Sequence, residues 1–594
     1  MTTGCGSPDA ESTQQPLSMP PLSATRDDRP EQRGDEIPLT INLPSGYAGS
    51  SACISCHPSQ FESYRKTHHS RSLSEPKVLD ERSGAGFDHA KSQRSYSVIS
   101  RDDELFHLEE RYFSALKSER QRMPAPFKMK VAELPVEYVM GSGAFAKAYL
   151  LRDGKYLKQS PVTWYTAKNE YAIAPGYDHS QHLGCNRIAE TECLYCHAGI
   201  ISSKRNNFNT PTIHEMAIGC ERCHGRGAEH AEIYSKLSEG ELISDSKITN
   251  PLKLDRRSLD SICAQCHLDA DVVIYARGQT VLDFQPGQDV VSNRLAYKAA
   301  TTDASEKTFA SHFDQISQSK CYLSSESLTC VTCHDPHQAV SATEKTEYYR
   351  ERCNQCHGTL DCGFPIHERE TANQNACIGC HMPRQSSEVP HASTTNHLIA
   401  IYQDNVATGI ESPALVSGLL RRITLGISGL SEDELLRRDS LAIAKWCNDK
   451  AAQGDHSLMD SIDVNQLRLL AAKDPADVDV LSTLANVARY RAEMIEASGD
   501  NLDESERQRE LSHYYAVLTL RQESEPTKAR QLSLEVLADK MMVDRSAEFA
   551  IPLLEELVNH RLAASDWYNL GLCYANQNRI ADAERAFKKS IEVD

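Results

Sequence analysis

The sequence predicts a mainly α protein with many loops, built in two parts. A Cys- and His-rich body with a small β insertion comes first, and an α-helical repeat solenoid follows. Three observations predict this. Fourteen of the 20 cysteines fall in one recurring CxxCH pattern between residues 53 and 381. Residues 93–180 lack that pattern and alternate apolar with polar residues around turn signals. After residue 410 the pattern stops and apolar residues recur at helical spacing.

The first part of the chain, residues 1–45, is rich in Ser, Pro, Gln and Asp ("ESTQQPLSMPPLSATRDDRPEQRGDEIP") and reads as a disordered tether. Its opening "MTTGC" is similar to the end of a bacterial lipoprotein signal, with Cys5 as a possible lipid anchor and the apolar part lying upstream. No run of about 18 apolar residues occurs, so no transmembrane helix is expected. The net charge of −19 argues against nucleic acid as a partner.

Residues 46–410 carry seven CxxCH motifs: Cys53/Cys56/His57, Cys193/Cys196/His197, Cys220/Cys223/His224, Cys263/Cys266/His267, Cys330/Cys333/His334, Cys353/Cys356/His357 and Cys377/Cys380/His381. Shuffling this composition would give roughly 0.03 such motifs. The spacing has a chemical reason. Two thiols at i and i+3 lie on one side of a helical turn and reach the two vinyl groups of one porphyrin, and the His that follows points at the iron. Zinc held by paired CxxC thiolates would not require a His after every second Cys. Seven covalently attached haems c are therefore expected. They would fill the interior that a hydrophobic fraction of 40% leaves short of aliphatic side chains. Haem c is attached outside the bacterial cytoplasm, so the protein is expected to be exported, periplasmic or membrane-anchored.

In "TCVTCHDPH" a second histidine, His337, follows the motif histidine His334 by three residues. It leaves on the same side of the same macrocycle, so its natural use is as distal ligand of a neighbouring haem. This predicts a histidine surplus that follows the haems. Between residues 46 and 410 there are 20 histidines, and only His456, His513 and His560 lie outside. The distal set expected from local context is His69, His182, His230, His312, His337, His391 and His397. The rivals are His68, His89, His107, His179, His214 and His367.

Within this body, residues 93–180 read as β-hairpins: "RSYSVISRDDELFHLEE" alternates, "AYLLRDGKYLKQ" centres on Asp153-Gly154, and "PVTWY" and "YAIAPGY" add short strands. From 411 to 594 the chain is helical, clearest over 534–594. "ASDWYNLGLCYANQNRIADAERAFKKS" matches the tetratricopeptide pattern at Trp567, Leu570, Gly571, Tyr574, Ala583 and Phe587. Shifting back by 33 residues gives a weaker copy at Leu534, Leu537, Ala538, Met541, Ala550 and Leu554. Such repeats stack and often dock a partner protein, here a redox partner. Of the six cysteines outside the motifs, Cys321 and Cys362 flank the fifth and sixth motifs and are expected as a disulfide, and Cys573 as a small core residue.

The stretch from about Cys53 to Ile399 resembles multihaem c-type cytochromes of the cytochrome c554 and doubled-CxxCH type. The marks are "CISCHPSQFESYRKTHHSRS", "IGCERCHGRGAEH", "LTCVTCHDPH" and "CIGCHMPRQSSEVPHASTTNHLI". The resemblance implies exported, low-spin, bis-histidine haems that carry electrons, with tetratricopeptide repeats after them. Asn396 departs from relatives that tend to have Asp there, which would weaken the hydrogen bond orienting His397. An electron carrier is thus expected. The alternative is a multihaem oxidoreductase acting on a small nitrogen or sulfur compound at one haem with an open distal position. The haem at Cys353/Cys356/His357 is the one with the least obvious distal partner, and no CxxCK motif occurs.

Overall fold

The structure, a computed structural model, describes residues 42–113, 127–204, 207–237, 245–300, 312–358, 362–386, 393–403, 406–408, 414–423, 426–427, 429–499 and 501–593. Cys5 and His391 lie outside the described residues.

The β insertion is larger than its sequence reading. β1 (Leu73–Ser74), β2 (Gly86–His89), β3 (Arg94–Arg101), β4 (Glu104–Phe113), β5 (Phe127–Met140), β6 (Ala146–Asp153), β7 (Tyr156–Tyr165) and β8 (Glu170–Ile173) form one antiparallel sheet. Strands β2 to β8 pair in sequence order, β1 pairs with β5, and β2 returns beside β8, so the sheet is nearly closed. Its hairpins follow turn chemistry. Asp102 and Asp103 both take positive φ between β3 and β4, the requirement of a two-residue turn that matches strand twist. The next predicted turn is shifted by one residue: Asp153 pairs with Tyr156, leaving Gly154-Lys155 as the loop. "PVTWY" is not a separate strand but the second half of β7. Pro161 sits where the β6–β7 register slips between Ala148 and Leu150, an irregularity that tolerates a residue without an N–H. Tyr96, Val98, Tyr149, Leu151, Val162 and Trp164 fill the interior.

The CxxCH motifs sit on single helical turns. The backbone N–H of His57, His224, His267, His334 and His357 donates to the carbonyl of the first cysteine of its own motif at 2.9–3.1 Å. His197 ends helix α2 (Thr191–His197) and His381 ends the turn Cys377–His381. Around the last three motifs the packing is unusual. The helices Cys330–Cys333, Lys345–Asn354, Ile366–Asn373 and Cys377–His381 contain no buried residue. Short helices are marginal without tertiary packing of an apolar face, so these turns need a core that the side chains do not supply.

The change of composition at 410 is not a structural seam. Strand Leu420–Ile423 pairs with strand Arg294–Ala299, which in turn pairs with Val272–Tyr275. One apolar core runs from Ala264, inside the fourth motif, through Leu295, Tyr297, Leu420 and Ile423 into helices Glu432–Ala452, Val464–Lys473 and Val478–Ser498. The buried Arg437 guanidinium ties the first of these helices to Asp477, the N-cap of the third. The third of these pairs with Leu502–Gln522, and two further helix pairs, Lys528–Val543 with Ala547–His560 and Ala564–Asn576 with Ile580–Val593, follow. In the last, a Cβ on Gly571 would lie 2.6 Å from the Phe587 ring, so glycine permits the close approach of Ala564–Asn576 to Ile580–Val593. Leu534, Ala538, Ala550, Leu554, Leu570 and Ala583 form a shared core there, with Trp567, Met541 and Phe587 packed against it.

Candidate haem-binding body

The motif thiols are brought together in a chain. Cys53 lies beside Cys220, Cys196 beside Cys266, Cys263 beside Cys330, and Cys353 beside Cys377. Cys223 feels the charge of Cys263, and Cys333 that of Cys356. In order of neighbours, the motifs run first–third–fourth–fifth–sixth–seventh, with the second branching from the fourth. Cys321 lies near Cys333, Cys353 and Cys356. Both Cys321 and Cys362 stand as free thiols, so the expected disulfide between them is not formed. Cys573 is buried in the helical core.

Four of the fourteen motif thiols are open to solvent. Cys56, Cys193, Cys356 and Cys380 are exposed. The reason is their place in the row. Cys56 and Cys380 are the second cysteines of the first and seventh motifs, which stand at its two ends, so one side of each faces solvent. Their polar contacts are weak and local: Cys56 lies 3.8 Å from Ser55 Oγ, and Cys380 lies 3.9 Å from the Asn373 amide nitrogen. Cys193 ends the branch, and Cys356 lies on the arm whose helices bury no residue. At these four positions the side chains do not enclose the sulfur, and a thioether to the porphyrin would itself have to hold it.

Histidines face the motif histidines in three places. His337 lies over His224 with ring centroids 6.0 Å apart and planes 13° apart. His397 faces His334 at 6.2 Å and 29°. His69 meets His267 at 5.9 Å. Two imidazoles on one metal, each bonded at about 2 Å with the nitrogen about 1.1 Å from its ring centre, place their centroids about 6.2 Å apart. All three pairs are within a few tenths of an ångström of that spacing. The turn that sends His337 away from His334 is set locally: the Asp335 carboxylate accepts the His337 N–H at 2.9 Å.

Hydrogen bonds to the second ring nitrogen orient several of these imidazoles. Nδ1 of His224 donates to Thr249 O at 3.0 Å, and Nδ1 of His381 to Ala400 O at 2.9 Å. His230 does the same to Ser246 O at 2.7 Å and His397 to Thr395 O at 3.0 Å. A proton fixed on Nδ1 leaves the Nε2 lone pair for a metal, the usual arrangement of a ligating histidine. Tyr349 OH lies 3.2 Å from Nδ1 of His334. Burial pushes His267 down to about 4, helped by the fields of His69 and His397, and burial holds His397 at about 4. Both are neutral at ordinary pH.

Asn396 does not orient His397. Its amide donates to Tyr402 OH at 2.8 Å and its carbonyl accepts from Leu398 N at 2.9 Å, while the Thr395 carbonyl holds the ring.

Two expected ligands, His182 and His312, have their Nδ1 atoms in contacts of their own. His182 belongs to the β insertion, buried among His89, Tyr96, Tyr177 and His179. Its Nδ1 accepts the Gly184 N–H at 3.1 Å, which puts the proton on Nε2 and removes the lone pair that a haem would need. His312 has its Nδ1 3.2 Å from Nδ1 of His267. One proton serves that contact. If His267 keeps it, as an Nε2 ligand must, His312 accepts and carries its own proton on Nε2. His312 is then the hydrogen-bond partner of a motif histidine.

The rivals are placed as follows. His68 is exposed and 3.1 Å from Ser142 Oγ, His89 bonds Ser92 and Asp178, and His107 is buried against Ser160. His214 is 2.8 Å from Ser202 Oγ, and His367 is exposed beside Glu368. Among the described residues, His57, His197, His357 and His381 have no histidine ring in contact. His230 and His57 nevertheless lie close enough to His224 for their charges to lower it.

Sequence reasoning missed two buried carboxylates between the first and third motifs. Glu221, the residue after Cys220, accepts the N–H groups of Ala48 (3.0 Å), Gly49 (2.7 Å) and Gly227 (2.6 Å), clamping the chain entering the first motif onto the third. Glu215 is fully buried nearby. The one available signal was an acidic residue inside a motif, "CERCH".

The residues fit haem c on three grounds: motif histidines faced at iron-sharing distance, Nδ1 atoms tied to carbonyls, and motif-bearing helices with no apolar core of their own. Among the described residues no group of three or more His, Cys, Asp or Glu side chains is arranged to hold a bare metal ion.

The family described as cytochrome c554 and c-prime matches residues 52–97 and 161–225, which contain the first three motifs. No curated protein matches the chain. Among solved structures, the outer cell wall cytochrome OcwA aligns with 80% of this chain and 100% of its own, at 14% identity and a TM-score of 0.33, a likeness too slight to bear on the fold. The family match supports a c-type cytochrome with haem c as cofactor, exported and engaged in electron transfer. No helix of the described residues is long and apolar enough to cross a membrane.

Proposed function

We propose that the chain is an exported cytochrome c that carries seven haems, most of them bis-histidine, and passes electrons along them to or from a partner protein docked on tetratricopeptide-type repeats. The continuous chain of motif neighbours carries this reading. A conductor needs each site close to the next, and every motif has a neighbour. Haem c, once attached through two thioethers, supplies an iron that gains and loses one electron. The protein's part is to hold each imidazole. His337 would close the site of His224, His397 that of His334 and His69 that of His267, with backbone carbonyls fixing the His224 and His397 rings. An iron held by two imidazoles would be closed to substrate.

The test is haem stoichiometry by pyridine haemochrome, with the EPR spectrum of the oxidised protein and carbon monoxide binding to the reduced one. Seven haems per chain, low-spin at the three paired sites, support the reading; fewer attached haems, or zinc in their place, refute it. A second reading is favoured by one observation. Like His57, His357 is exposed and, among the described residues, faces no histidine, and the helix that leads to it, Lys345–Asn354, buries no residue. Carbon monoxide binding at one haem only, in the Cys353/Cys356/His357 motif, would make that haem the site of an oxidoreductase.

A further inference from the structure

We propose that Glu215 is a proton acceptor coupled to reduction of the haems held by Cys53/Cys56 and Cys220/Cys223, so that one proton enters the protein with an electron reaching that pair. This rests on haem attachment at those two motifs.

Glu215 ends strand β10 (Asn207–Glu215) and is 0% exposed. Its Oε1 accepts the Ser50 N–H at 3.1 Å, while Oε2 is buried with no hydrogen-bond partner. The slot is cut to the carboxyl group. A Cβ on Gly219 would lie 2.6 Å from Oε2, and one on Gly199 2.9 Å from it. Such a slot, walled by glycines from two different segments, is an unusual place for an acid.

Among the described residues no cation forms an ion pair with it. The groups that face it are Ser50 before the first motif, Cys53 within it, Tyr64 from α1 (Pro58–Tyr64), and Cys220, Glu221 and Arg222 at the third. Arg222 spends its guanidinium elsewhere, donating to Ala198 O at 3.0 Å and stacking on Tyr195. Glu221 adds a second negative charge. Burial, chiefly, pushes the Glu215 carboxyl above the usual carboxylate range, with Glu221 adding to it. An uncompensated buried charge is costly, so the carboxyl group takes a proton readily.

Glu215 is wired to the motifs. Ser50 joins the two: its backbone N–H donates to Glu215 Oε1 at 3.1 Å and its Oγ accepts the Cys220 N–H at 2.9 Å. Cys53 and Cys220, the first cysteines of the two motifs, both feel the Glu215 charge. An electron arriving there adds negative charge beside an already disfavoured anion, which raises the carboxyl pKa further. The balance is one electron from a reductant to the haem pair and one proton from solvent to Glu215 Oε2, forming its O–H bond. The midpoint potential then falls as pH rises between the pKa of the oxidised and that of the reduced form.

The experiment is a spectropotentiometric titration of the intact holoprotein at several pH values with dithionite as reductant, on wild type and Glu215→Gln. The amide keeps the acceptor for Ser50 N but cannot ionise. Wild type is expected to show at least one midpoint falling with pH, toward a limit of about 59 mV per tenfold change in proton concentration for a one-electron couple. In E215Q that slope is lost, and the carboxylic C=O band in the reduced-minus-oxidised infrared spectrum goes with it. A flat wild type, or a slope and band that survive in E215Q, overturns the inference. If E215Q fails to fold, wild type carries the test: reduction must bring up a carboxylic C=O band that shifts in deuterium oxide, and its absence overturns the inference. Haem stoichiometry measured first separates the two levels: missing haems defeat the proposed function, whereas full haem content with flat potentials defeats this inference alone.

Discussion

His337→Ala tests the pairing that the "CHDPH" turn sets up. The ring centroids of His224 and His337 are 6.0 Å apart, against about 6.2 Å for two imidazoles sharing one metal at about 2 Å bonds. Removing the His337 imidazole leaves one axial position open at the haem of the third motif and nowhere else. The oxidised variant should gain a high-spin EPR signal from one haem, and the reduced variant should bind about one carbon monoxide per chain above wild type. His337→Met should restore low-spin character with a raised potential at that haem, since Met/His ligation sits higher. Asp335→Ala grades the effect. The 2.9 Å bond it removes is worth about 1 kcal/mol, so the fraction of that haem found open should rise about fivefold while the ligand stays in the chain. His230→Ala is the control, because His230 also lies beside His224. If H337A remains fully low-spin and blind to carbon monoxide while H230A opens the haem, the reasoning from ring spacing is refuted.

Three further outcomes follow from the packing. Arg437→Met leaves Asp477 buried and uncompensated at the N-cap of helix Val478–Ser498, and should destabilise the core shared with the fourth motif by about 3–5 kcal/mol in denaturant unfolding. Burial holds His107 at about 3, so its contribution is present in full above 6.5 and is lost as pH falls from 6.5 to about 3, at about 1.4 kcal/mol per pH unit; His107→Gln, which keeps a partner for Ser160, should flatten the acid side of the stability profile of the β insertion read by circular dichroism. Gly571→Ala drives a methyl group into the Phe587 ring and should cost about 1–3 kcal/mol, seen as faster proteolysis of the last helix pair.

What the sequence made legible was whatever is local. A CxxCH motif is complete within five residues, so each of the seven was readable, and so was the need for His337 to serve a site other than its own. Which site it faces was not, because His224 lies 113 residues away and only the fold joins them. Nor does the motif say how well its sulfurs are covered: Cys56 and Cys380 read the same as Cys223 and Cys266, yet the first two are exposed because their motifs end the row. His182 shows how local context misleads. "YDHSQHLGC" looks like a ligand-bearing loop, but the Gly184 N–H occupies Nδ1 and so puts the proton on Nε2, and Tyr96 and Tyr177 enclose the ring. The sheet itself was undersized on paper. The 14-residue β5 hides its alternation behind Pro135, and β7 reads as two strands because Pro161 interrupts it. Glu215 carried no signal, since its burial depends on Gly199 and Gly219 arriving from either side.

The order of motif neighbours bears on where a partner protein would act. The fourth motif touches three others, through Cys223, Cys196 and Cys330, while His337 joins the fifth-motif segment directly to the third. The helical region is built onto this junction. Ala264, between the fourth-motif cysteines, belongs to the same apolar core as Leu441, Ala444 and Leu484. Farther along, Lys528 reaches Glu190 at 3.2 Å and Glu192 at 3.5 Å, at the start of the helix that carries the second motif. The helices therefore bear on the branch formed by the second and fourth motifs, whereas the helices of the fifth, sixth and seventh motifs bury no residue. A protein docked on the repeats would exchange electrons most directly through that branch. The exposed arm from Cys330 to His381 would be left for a second partner, which is the division of surfaces that a two-ended conductor requires.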